Sequence, residues 1–449
     1  MLGWGMRRRV VIVGASGRDF HTFNMVFRDD PSAEVVAFLA SQLPGIGGRT
    51  YPPELAGPNY PDGIPIYDRD GKSLAEVARE TGAEEAVLAY SDLTHDTLAS
   101  EVYEAFMAGL DFRLVNPFST MLESEKPVIS VCAVRTGAGK SSVVRRVARI
   151  LLDEGLKPVD VRHPMPYGDL RRQVCQVFRS FEDLDRAGCT LEEREEYEPI
   201  IEMGLTVLAG VDYERVLREA EAEGDVIVWD GGNNDLPFFK PDLHIVVADP
   251  LRPGSELHSY PGTLNVMTAD VLVVNKVNAA PRSSVEEVKA NLRKLNRRAE
   301  IVEAESVVSV DEPDLIRGRR VLVVEDSPSV THGGLGYGAG YVAAKKYGAS
   351  EIVDPRPYAV GVLREAYGRY GHMREVLPTI GYRPEHLRDV EETIRRVECD
   401  SVVLGTSCRL DRLIRIDKPV VRARFEVREV GEPTLRDVIR AFLSRAGFA

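Results

Sequence analysis

Short apolar runs rich in β-branched residues alternate with amphipathic stretches along the start of the chain. Strands are expected where the runs are short and β-branched, and helices where apolar residues recur every three to four positions. The predicted strands are residues 10–13, 34–39 and 85–89, and helical patterns end near residue 27 and cover residues 73–81 and 97–108. Alternating strands and helices are typical of parallel sheets, so a Rossmann-like α/β domain is predicted over residues 1–124.

The same alternation continues through two further units. In residues 125–315 a strand leads through a glycine-rich turn into a helix, and in residues 316–449 a strand is again followed by a glycine-rich loop and a helix. The predicted strands are residues 128–134, 159–161, 226–229, 243–247 and 271–274 in the second unit, and residues 320–324, 401–404, 420–425 and the neighbourhood of 352 in the third. The C-terminal α/β region is either a separate domain or a continuation of the second sheet.

Two segments depart from this pattern. Residues 51–67 carry five prolines among three tyrosines and are interpreted either as an ordered surface loop or as a lid. Residues 191–225 hold twelve acidic side chains against three basic ones, which predicts a mostly solvated helical face. Within it, Glu195, Glu198 and Glu202 are an alternative set that positions a cationic arginine or a metal.

Composition narrows the class of partner. The 57 basic and 70 acidic side chains leave a net charge of −13, which argues against nucleic acid and against a membrane surface as partners. No export signal and no apolar run of about 18 residues is found, and the five cysteines form no Cys-x-x-Cys pair, so a cytoplasmic protein without a disulfide framework is expected. Only three glutamines beside abundant Glu and Arg suggest a thermophilic source.

The strongest chemical signal is the turn at residues 135–142, between a predicted strand and a helix. Successive backbone N–H groups there can hold phosphate oxygens, Lys140 can reach the β- and γ-phosphates, and the Ser141 hydroxyl can bind Mg²⁺. ATP and Mg²⁺ are therefore the predicted cofactors. The residues assigned to the nucleotide are Thr136, Gly137, Ala138, Gly139, Lys140, Ser141 and Ser142.

One position of this turn departs from the general P-loop pattern. Val134 stands where that pattern has glycine, and Arg135 stands where a variant P-loop subclass often has an extra lysine. The turn therefore resembles that of nitrogenase iron protein, the septum-site ATPases and dethiobiotin synthetase. A P-loop NTPase domain of this kind is predicted for residues 125–315, with Arg135 as a catalytic cation.

Two strand ends supply further candidates at the nucleotide. Asp230, at the end of a buried strand, is the predicted second magnesium ligand. Asp160 is either another metal or water-positioning group or an ion-paired surface aspartate. Asn275-Lys276-Val277-Asn278 resembles the guanine-reading Asn-Lys-x-Asp with its final acid replaced by an amide, which argues against GTP. Asn275 and Lys276 are instead assigned to an adenine nucleotide.

Candidates for the acceptor substrate follow the strands and the glycine-rich turns. Arg162 and His163 come at the carboxyl end of a predicted parallel strand, where open α/β sheets bind ligands, and are assigned to catalysis and to an anionic substrate. The turn that holds His332, Gly333 and Gly334 is either a second phosphate cradle or a flexible connection. Weaker candidates are Arg356, Arg422 and Arg424.

The first glycine turn, residues 14–17, lacks the dinucleotide fingerprint. Ser16 and Asp19 replace its second and third glycines, and the second strand ends without a ribose-binding acid, so NAD is not expected. Arg18 and His21 are assigned to a phosphate or carboxylate at the start of the following helix.

Four motifs together carry a family resemblance that runs nearly end to end. They are Gly-Ala-Ser-Gly-Arg-Asp-Phe-His-x-Phe-Asn at 14–24, Arg-Thr-Gly-Ala-Gly-Lys-Ser at 135–141, Arg-His-Pro-Met-Pro-Tyr-Gly-Asp-Leu at 162–170 and Thr-His-Gly-Gly-x-x-Tyr-Gly-Ala-Gly at 331–340. In this respect the chain resembles the cyclic 2,3-diphosphoglycerate synthetase family. The resemblance implies an ATP-dependent ligase that closes 2,3-bisphosphoglycerate into its cyclic phosphoanhydride and releases ADP and phosphate.

The expected partner is accordingly a small phosphorylated substrate, and a homodimer is expected. Two other classes remain open. Asn275-Lys276 motivates a regulatory or metallochaperone GTPase, although no Cys/His metal motif accompanies it. The first domain alone motivates an NAD-sensing or nucleotide-binding scaffold without turnover.

Overall fold

A computed structural model describes residues 7–41, 46–232, 235–326, 330–331, 334–380 and 384–448. Its N-terminal unit contains a six-stranded sheet with the order β3-β4-β2-β1-β5-β7, in which only β3 and β4 pair antiparallel. In chain order its parallel strands lie third, second, first, fourth, fifth. The strands are β1 Arg8–Val13, β2 Ala33–Ala40, β3 Arg49–Tyr51, β4 Ile64–Asp68, β5 Glu85–Leu88 and β7 Asp111–Leu114, and the short β6 Leu93–Thr94 lies outside this sheet.

The rest of the chain builds one sheet of 13 strands with the order β10-β11-β9-β12-β8-β13-β15-β16-β21-β20-β17-β18, and β19 also pairs with β17. The short β14 Ser259–Tyr260 pairs with β6 of the N-terminal unit instead. The strands are β8 Val128–Ala133, β9 Pro158–Arg162, β10 Gln176–Phe178, β11 Thr206–Ala209, β12 Val226–Gly231, β13 Leu243–Ala248, β15 Val271–Val274, β16 Glu300–Val310, β17 Arg320–Glu325, β18 Glu351–Ile352, β19 Leu377–Pro378, β20 Ser401–Leu404 and β21 Val420–Val430.

Two long antiparallel strands, β16 and β21 with 11 residues each, join the nucleotide-binding part of this sheet to its C-terminal part. The C-terminal region therefore continues the second sheet. The predicted mixed α/β fold with parallel sheets is confirmed, whereas the Rossmann-like assignment and the boundaries at 124 and 315 stay predictions.

Helices cover both faces of the sheets. They are α1 Arg18–Thr22, α2 Pro53–Ala56, α3 Leu74–Thr81, α4 His95–Met107, α5 Lys140–Asp153, α6 Phe181–Ala187, α7 Leu191–Ile201, α8 Tyr213–Glu223, α9 Ser255–His258, α10 Gly262–Thr268, α11 Arg282–Leu295, α12 Ala339–Lys346, α13 Gly361–Arg369, α14 Pro384–Arg396, α15 Leu410–Leu413 and α16 Leu435–Arg445. On the nucleotide-binding part, α5, α7 and α16 contribute to the core on one face and α8 and α11 to the core on the other. Buried side chains on both faces explain the continuous apolar runs of these strands.

The acidic segment 191–225 does not form one solvated face. The prediction is wrong for α7, where Glu193 and Glu195 are 5% exposed and Glu198 is 1% exposed. Tyr197 and Ile200 of the same helix pack into the core. The hydroxyls of Thr190 and Thr406 and the backbone N–H of Arg409 donate hydrogen bonds to the three glutamates. Only α8, which follows, is amphipathic with exposed acidic side chains.

Residues 51–67 are ordered and belong to the N-terminal core. Tyr51 is 1% exposed and stacks on Phe20 with 4.8 Å between ring centroids. The Tyr60 hydroxyl accepts a hydrogen bond of 3.2 Å from the backbone of Val35. Because β3 and β4 of this segment pair with each other and with the main sheet, the ordered-loop interpretation fits and the lid does not.

The C-terminal region is organised around a buried carboxylate at the end of β17. Glu325 is fully buried and accepts hydrogen bonds from the backbone N–H groups of Gly338 (3.0 Å), Gly340 (3.2 Å) and Tyr341 (2.7 Å) at the start of α12. Burial raises the pKa of Glu325 to about 7. The glycines leave room for this group, since a Cβ on Gly405 would lie 2.4 Å from the backbone nitrogen of Gly340.

Gly405→Ala is expected to destabilise the fold by about 1–3 kcal/mol, because the added methyl overlaps backbone as well as the Glu325 carboxylate. Differential scanning calorimetry measures the effect. Gly371→Ala is the matched control, because its Cβ would meet no atom within 4 Å. Equal transition temperatures for the two variants would contradict the packing role assigned to Gly405.

Candidate active site

The P-loop follows β8 and leads directly into α5. Gly137 and Gly139 have φ angles of +84° and +103°, a region that favours glycine. A Cβ on Gly139 would also lie 2.2 Å from Asn275 Nδ2, so that position has no space for a side chain. The local sequence thus forms the tight turn that was predicted from its glycines.

Side chains that follow β13 and β15, the next two strands of the sheet, hold the carbonyl groups of this loop. Asn275 Nδ2 donates to Ala138 O (3.0 Å), Lys276 Nζ to Gly137 O (2.6 Å) and Arg252 Nη2 to Thr136 O (2.7 Å). Asp249 pairs with Lys276 (2.8 Å) and Arg252 (3.2 Å). The structure therefore places Asn275 and Lys276 against the carbonyl groups of the P-loop. Their assignment to the adenine base stays a prediction.

A chain of alternating charges runs from the P-loop into the protein. Lys140 Nζ donates to Asp230 O at 2.7 Å and contacts the Asp230 carboxylate. Arg162 contacts the carboxylates of both Asp230 and Glu196. The ion pairs thus join α5, β12, β9 and α7 at the carboxyl end of the sheet.

Asp160 lies on β9 two residues before Arg162 and is 3% exposed. Neither of its carboxylate oxygens has a hydrogen-bond partner among the described residues. Burial, and to a smaller extent the nearby charge of Asp230, raises the pKa of Asp160 well above its usual range. The alternative of an ion-paired surface aspartate is wrong. Whether Asp160 takes part in metal binding stays a prediction.

The N-terminus of α5 is available for phosphate. Among the described residues no side chain accepts from the backbone N–H groups of residues 137–142, and Ser141 is exposed. Ser141 and Asp230 fit the limited protein share of a Mg²⁺ shell that is completed by phosphate and water. No group of three or more His, Cys, Asp or Glu able to hold a metal is found in the part of the chain that the structure describes. Arg135 is exposed beside the loop. Partial burial and the positive charge of Arg252 lower the pKa of its guanidinium group.

The backbone N–H groups at the N-terminus of α1 are occupied by a carboxylate of the protein itself. Asp19 accepts from the backbone N–H groups of Ser16 (2.7 Å), Gly17 (3.0 Å) and Phe20 (2.7 Å), and burial raises its pKa to about 7. The expectation that this turn offers a phosphate or carboxylate site is wrong, because its donors already bind a carboxylate. In the turn at 334–340 the N–H groups of Gly338 and Gly340 are likewise bound to Glu325, and the assignment of His332, Gly333 and Gly334 to a phosphate stays a prediction.

Arg18 and His21 are buried at the junction of the N-terminal unit with the second sheet. Arg18 pairs with Asp235 and donates to Leu236 O at 2.7 Å. The His21 Nε2 lies 2.7 Å from Thr120 O, and its ring stacks on Phe238 at 4.5 Å. Burial and the Arg18 charge lower the pKa of His21 to about 3, so it carries no charge for an anion at neutral pH.

His163 meets Arg18 and His21 in this junction. Its ring centroid lies 5.1 Å from that of Phe238, and its Nε2 lies 3.5 Å from Asp235 Oδ2. Burial, with the charges of Arg18 and Lys140, lowers the pKa of His163 to about 3. Arg162, His163 and Lys140 are thus brought together as predicted, but His163 is neutral and Arg162 is neutralised by carboxylates.

The remaining candidates lie apart from this cluster. Arg356 pairs with Asp354 at 2.8 Å in an exposed turn. Arg422 and Arg424 pair with Glu202 at 2.8 and 3.2 Å, so Glu202 does hold arginines, as one interpretation of the acidic segment expected. Gly334 is exposed with a φ of +66°, and His332 and Gly333 lie outside the described residues.

Sequence comparison reveals one long match. "Arginine synthetase ArcE" of Thermococcus kodakarensis is 54% identical to this chain over 433 residues, which are 96% of both chains. The chain belongs to the family of this arginine synthetase. No protein-family profile matches the sequence. The name of this relative, a synthetase, agrees with the class of enzyme that the motifs implied. It does not mention the formation of cyclic diphosphoglycerate.

Solved structures similar to this member of the arginine synthetase family are remote. LpxK from Aquifex aeolicus in complex with ATP is 13% identical, covers 77% of this chain and 94% of its own, and gives a TM-score of 0.43. Cobyrinic acid a,c-diamide synthase from Mycobacterium smegmatis, with an ATP analogue and magnesium bound, is 16% identical, covers 40% and 71%, and gives 0.18. Both TM-scores are below 0.5. None of the described helices has the length and apolar character needed to cross a membrane.

Two residues at the candidate site of this member of the arginine synthetase family, Asp92 and Leu335, were not predicted from the sequence. Asp92, with a φ of +63°, accepts from Thr136 N (3.2 Å) and Thr136 Oγ1 (2.6 Å), which ties the N-terminal unit to the P-loop. Leu335 Cδ1 lies 3.6 Å from the place where a Cβ on Gly137 would be. Asp92 comes shortly after a predicted strand. Because ligands bind at the carboxyl ends of strands in open α/β sheets, this position could have pointed to Asp92.

Lys140→Ala is expected to lower ADP formation about 10³-fold or more, because it removes the cation placed beside Asp230 and the open helix end. Chromatographic measurement of ADP over time tests this. Lys157→Ala is the control, since that side chain is 56% exposed and pairs with Glu223 at 3.7 Å. A Lys140→Ala enzyme that turns over like the control would show that the nucleotide site lies elsewhere.

Proposed function

We propose that this chain is an ATP-dependent synthetase that forms arginine from its ureido analogue, in which oxygen replaces one terminal nitrogen of the guanidino group, and a nitrogen donor. The observation that carries the proposal is the open N-terminus of α5, with Lys140 beside Asp230, in a chain that is 54% identical to an arginine synthetase. Bound ATP supplies a γ-phosphoryl group that makes the ureido oxygen a leaving group.

The chain's own residues fit phosphoryl transfer to that oxygen. Backbone N–H groups of residues 137–142 and Lys140 face the position of the phosphates. Arg135 is exposed beside them and can stabilise the charge of the transferring group, while Ser141 and Asp230 would hold Mg²⁺. When the nitrogen displaces the activated oxygen, that oxygen leaves with phosphorus as inorganic phosphate, so the expected products are arginine, ADP and phosphate.

The balance of charge around the site favours this substrate over 2,3-bisphosphoglycerate. Arg18 and Arg162 are already paired with buried carboxylates, and His21 and His163 are neutral. A substrate with two phosphates and a carboxylate needs several free cations. The guanidinium of the product requires hydrogen-bond acceptors and negative charge, and the carboxyl groups of Asp160, Asp230 and Glu196 lie at this site.

Closure of 2,3-bisphosphoglycerate to its cyclic anhydride is the second candidate. The four sequence motifs favour it, and two of their cations, Lys140 and Arg162, meet at Asp230. ATP transfer to one substrate phosphate, attack by the other and release of phosphate would give the same ADP. The acceptor alone distinguishes the two proposals.

The GTPase alternative, which Asn275-Lys276 motivates, is weakened further by the position of Asn278. Its side-chain amide donates to Ser306 O and accepts from Ser306 N, both at 3.0 Å, so it is used in joining a loop to β16. This leaves no group at that position to read guanine, and we retain ATP as the proposed nucleotide. The predicted homodimer is kept as a proposal that light scattering on the purified protein tests.

Incubation with Mg²⁺, ATP, ammonium and the ureido analogue is expected to yield one arginine per ADP, measured by amino-acid analysis and nucleotide chromatography. GTP in place of ATP is expected to be a poor substrate. The parallel reaction with 2,3-bisphosphoglycerate, followed by ³¹P NMR, is expected to give no cyclic phosphoanhydride. Formation of that anhydride without any arginine would replace the first proposal by the second.

A further inference from the structure

The N-terminal sheet ends in a strand that has one open edge. β7 is the last strand of this sheet and pairs, among the described strands, with β5 alone. Asp111 N donates to Glu84 O at 2.9 Å, so Asp111 and Arg113 direct their backbone groups to β5 in the parallel ladder. The N–H and C=O groups of Phe112 and Leu114 therefore point outward. Such a row of unpaired backbone groups is a template for another strand.

The helix before this strand carries large apolar side chains on its solvent side. On α4, Tyr103 is 67% exposed, Phe106 is 60% exposed and Met107 is 86% exposed. Ala105 of the same helix packs in the apolar cluster that also contains Phe112 of β7, so α4 lies against the edge strand. Single exposed apolar residues are ordinary on a protein surface, but three within five positions of one helix beside an open sheet edge indicate an interaction surface.

This apolar surface extends toward the open edge of the sheet. Glu104 of α4 pairs with Arg69, which follows β4 on the other side of the sheet from β7. Residues two apart on an α-helix are separated by about 200°, so Phe106 points away from Arg69 and toward the side of β7. Leu114 and Phe118, both exposed, continue the apolar surface past the end of the strand.

A second copy of β7 fits the open edge in a register that pairs opposite charges. About a twofold axis at Phe112, two antiparallel strands exchange N–H···O hydrogen bonds between their outward-facing Phe112 residues. The same register places Asp111 of each copy directly opposite Arg113 of the other. Asp111 is exposed, and the Arg113 guanidinium lies 5.5 Å from the centroid of the Phe27 ring, on the sheet face away from α4. Opposite charges at directly opposed positions stabilise a strand pair.

We propose that β7 and α4 form the interface of a homodimer, in which two six-stranded N-terminal sheets join edge to edge. The occupant of the edge is a second copy of this chain, because the order of Asp111 and Arg113 is complementary to itself about a twofold axis. The apolar side chains of the two α4 helices are covered across the same axis. This interface gives the proposed homodimer a defined surface and does not depend on which acceptor the enzyme uses.

Sedimentation velocity of the full-length protein tests the interface. The wild-type protein is expected to sediment with twice the 49.7 kDa mass of one chain. Asp111→Arg places arginine opposite arginine at two positions of the strand pair, and Arg113→Asp places aspartate opposite aspartate. Each single variant is therefore expected to raise the dimer Kd about tenfold or more. The double variant, Asp111→Arg with Arg113→Asp, restores opposite charges and is expected to recover wild-type association.

Phe106→Glu is a second kind of variant, which leaves β7 unchanged and is expected to give a monomer. Met267→Glu is its matched control, because Met267 is 53% exposed on α10, outside α4 and β7, and this variant is expected to stay dimeric. Three results would overturn the interface: a monomeric wild-type protein, equal association of Phe106→Glu and the control, or a double variant that associates no better than the single ones.

Discussion

The carboxylate of Asp230 is the group on which the arrangement of the site depends. It is 2% exposed, and its charge is balanced by Lys140 on one side and Arg162 on the other. Removing one partner of such a buried set leaves an uncompensated charge at a cost of about 3–5 kcal/mol. Arg162 in turn pairs with Glu196, so the P-loop, two strands and α7 share one electrostatic network. The proposed nucleotide and Mg²⁺ would act on this network directly, because Lys140 and Asp230 are the groups assigned to them.

Buried carboxylates also decide which glycine-rich turn can bind phosphate. Within the described residues, three turns that run from a strand into a helix carry several small residues. Asp19 fills the first and Glu325 fills the third, whereas the second, at Lys140, has no carboxylate on its N–H groups among the described residues. Glycine at the first and third turns is required for close packing on an internal anion. Glycine at the second turn permits an external one.

The sequence predicts the P-loop well because Lys140 and Ser141 stand in register with a strand and a helix, and that information is local. It also places Arg162 and Asp230 at strand ends, where the structure brings them together. The carboxylate that neutralises Arg18 could not be predicted, since Asp235 lies 217 residues away along the chain. The burial of α7 could not be predicted from the sequence either. A helix rich in glutamate is expected to be solvated, and only the C-terminal region, distant in sequence, covers it. Net charge of −13 therefore describes the surface poorly, as several of its carboxylates lie inside.

Transfer of oxygen to phosphate tests the central claim most directly. The ureido analogue of arginine is labelled with ¹⁸O at its ureido oxygen and converted with Mg²⁺, ATP and ammonium, and the phosphate released is examined by ³¹P NMR. If the site at Lys140 transfers the γ-phosphoryl group to that oxygen, each phosphate formed carries one ¹⁸O atom. Unlabelled phosphate, or ¹⁸O found in AMP, would contradict phosphoryl transfer from the P-loop to the oxygen that nitrogen replaces.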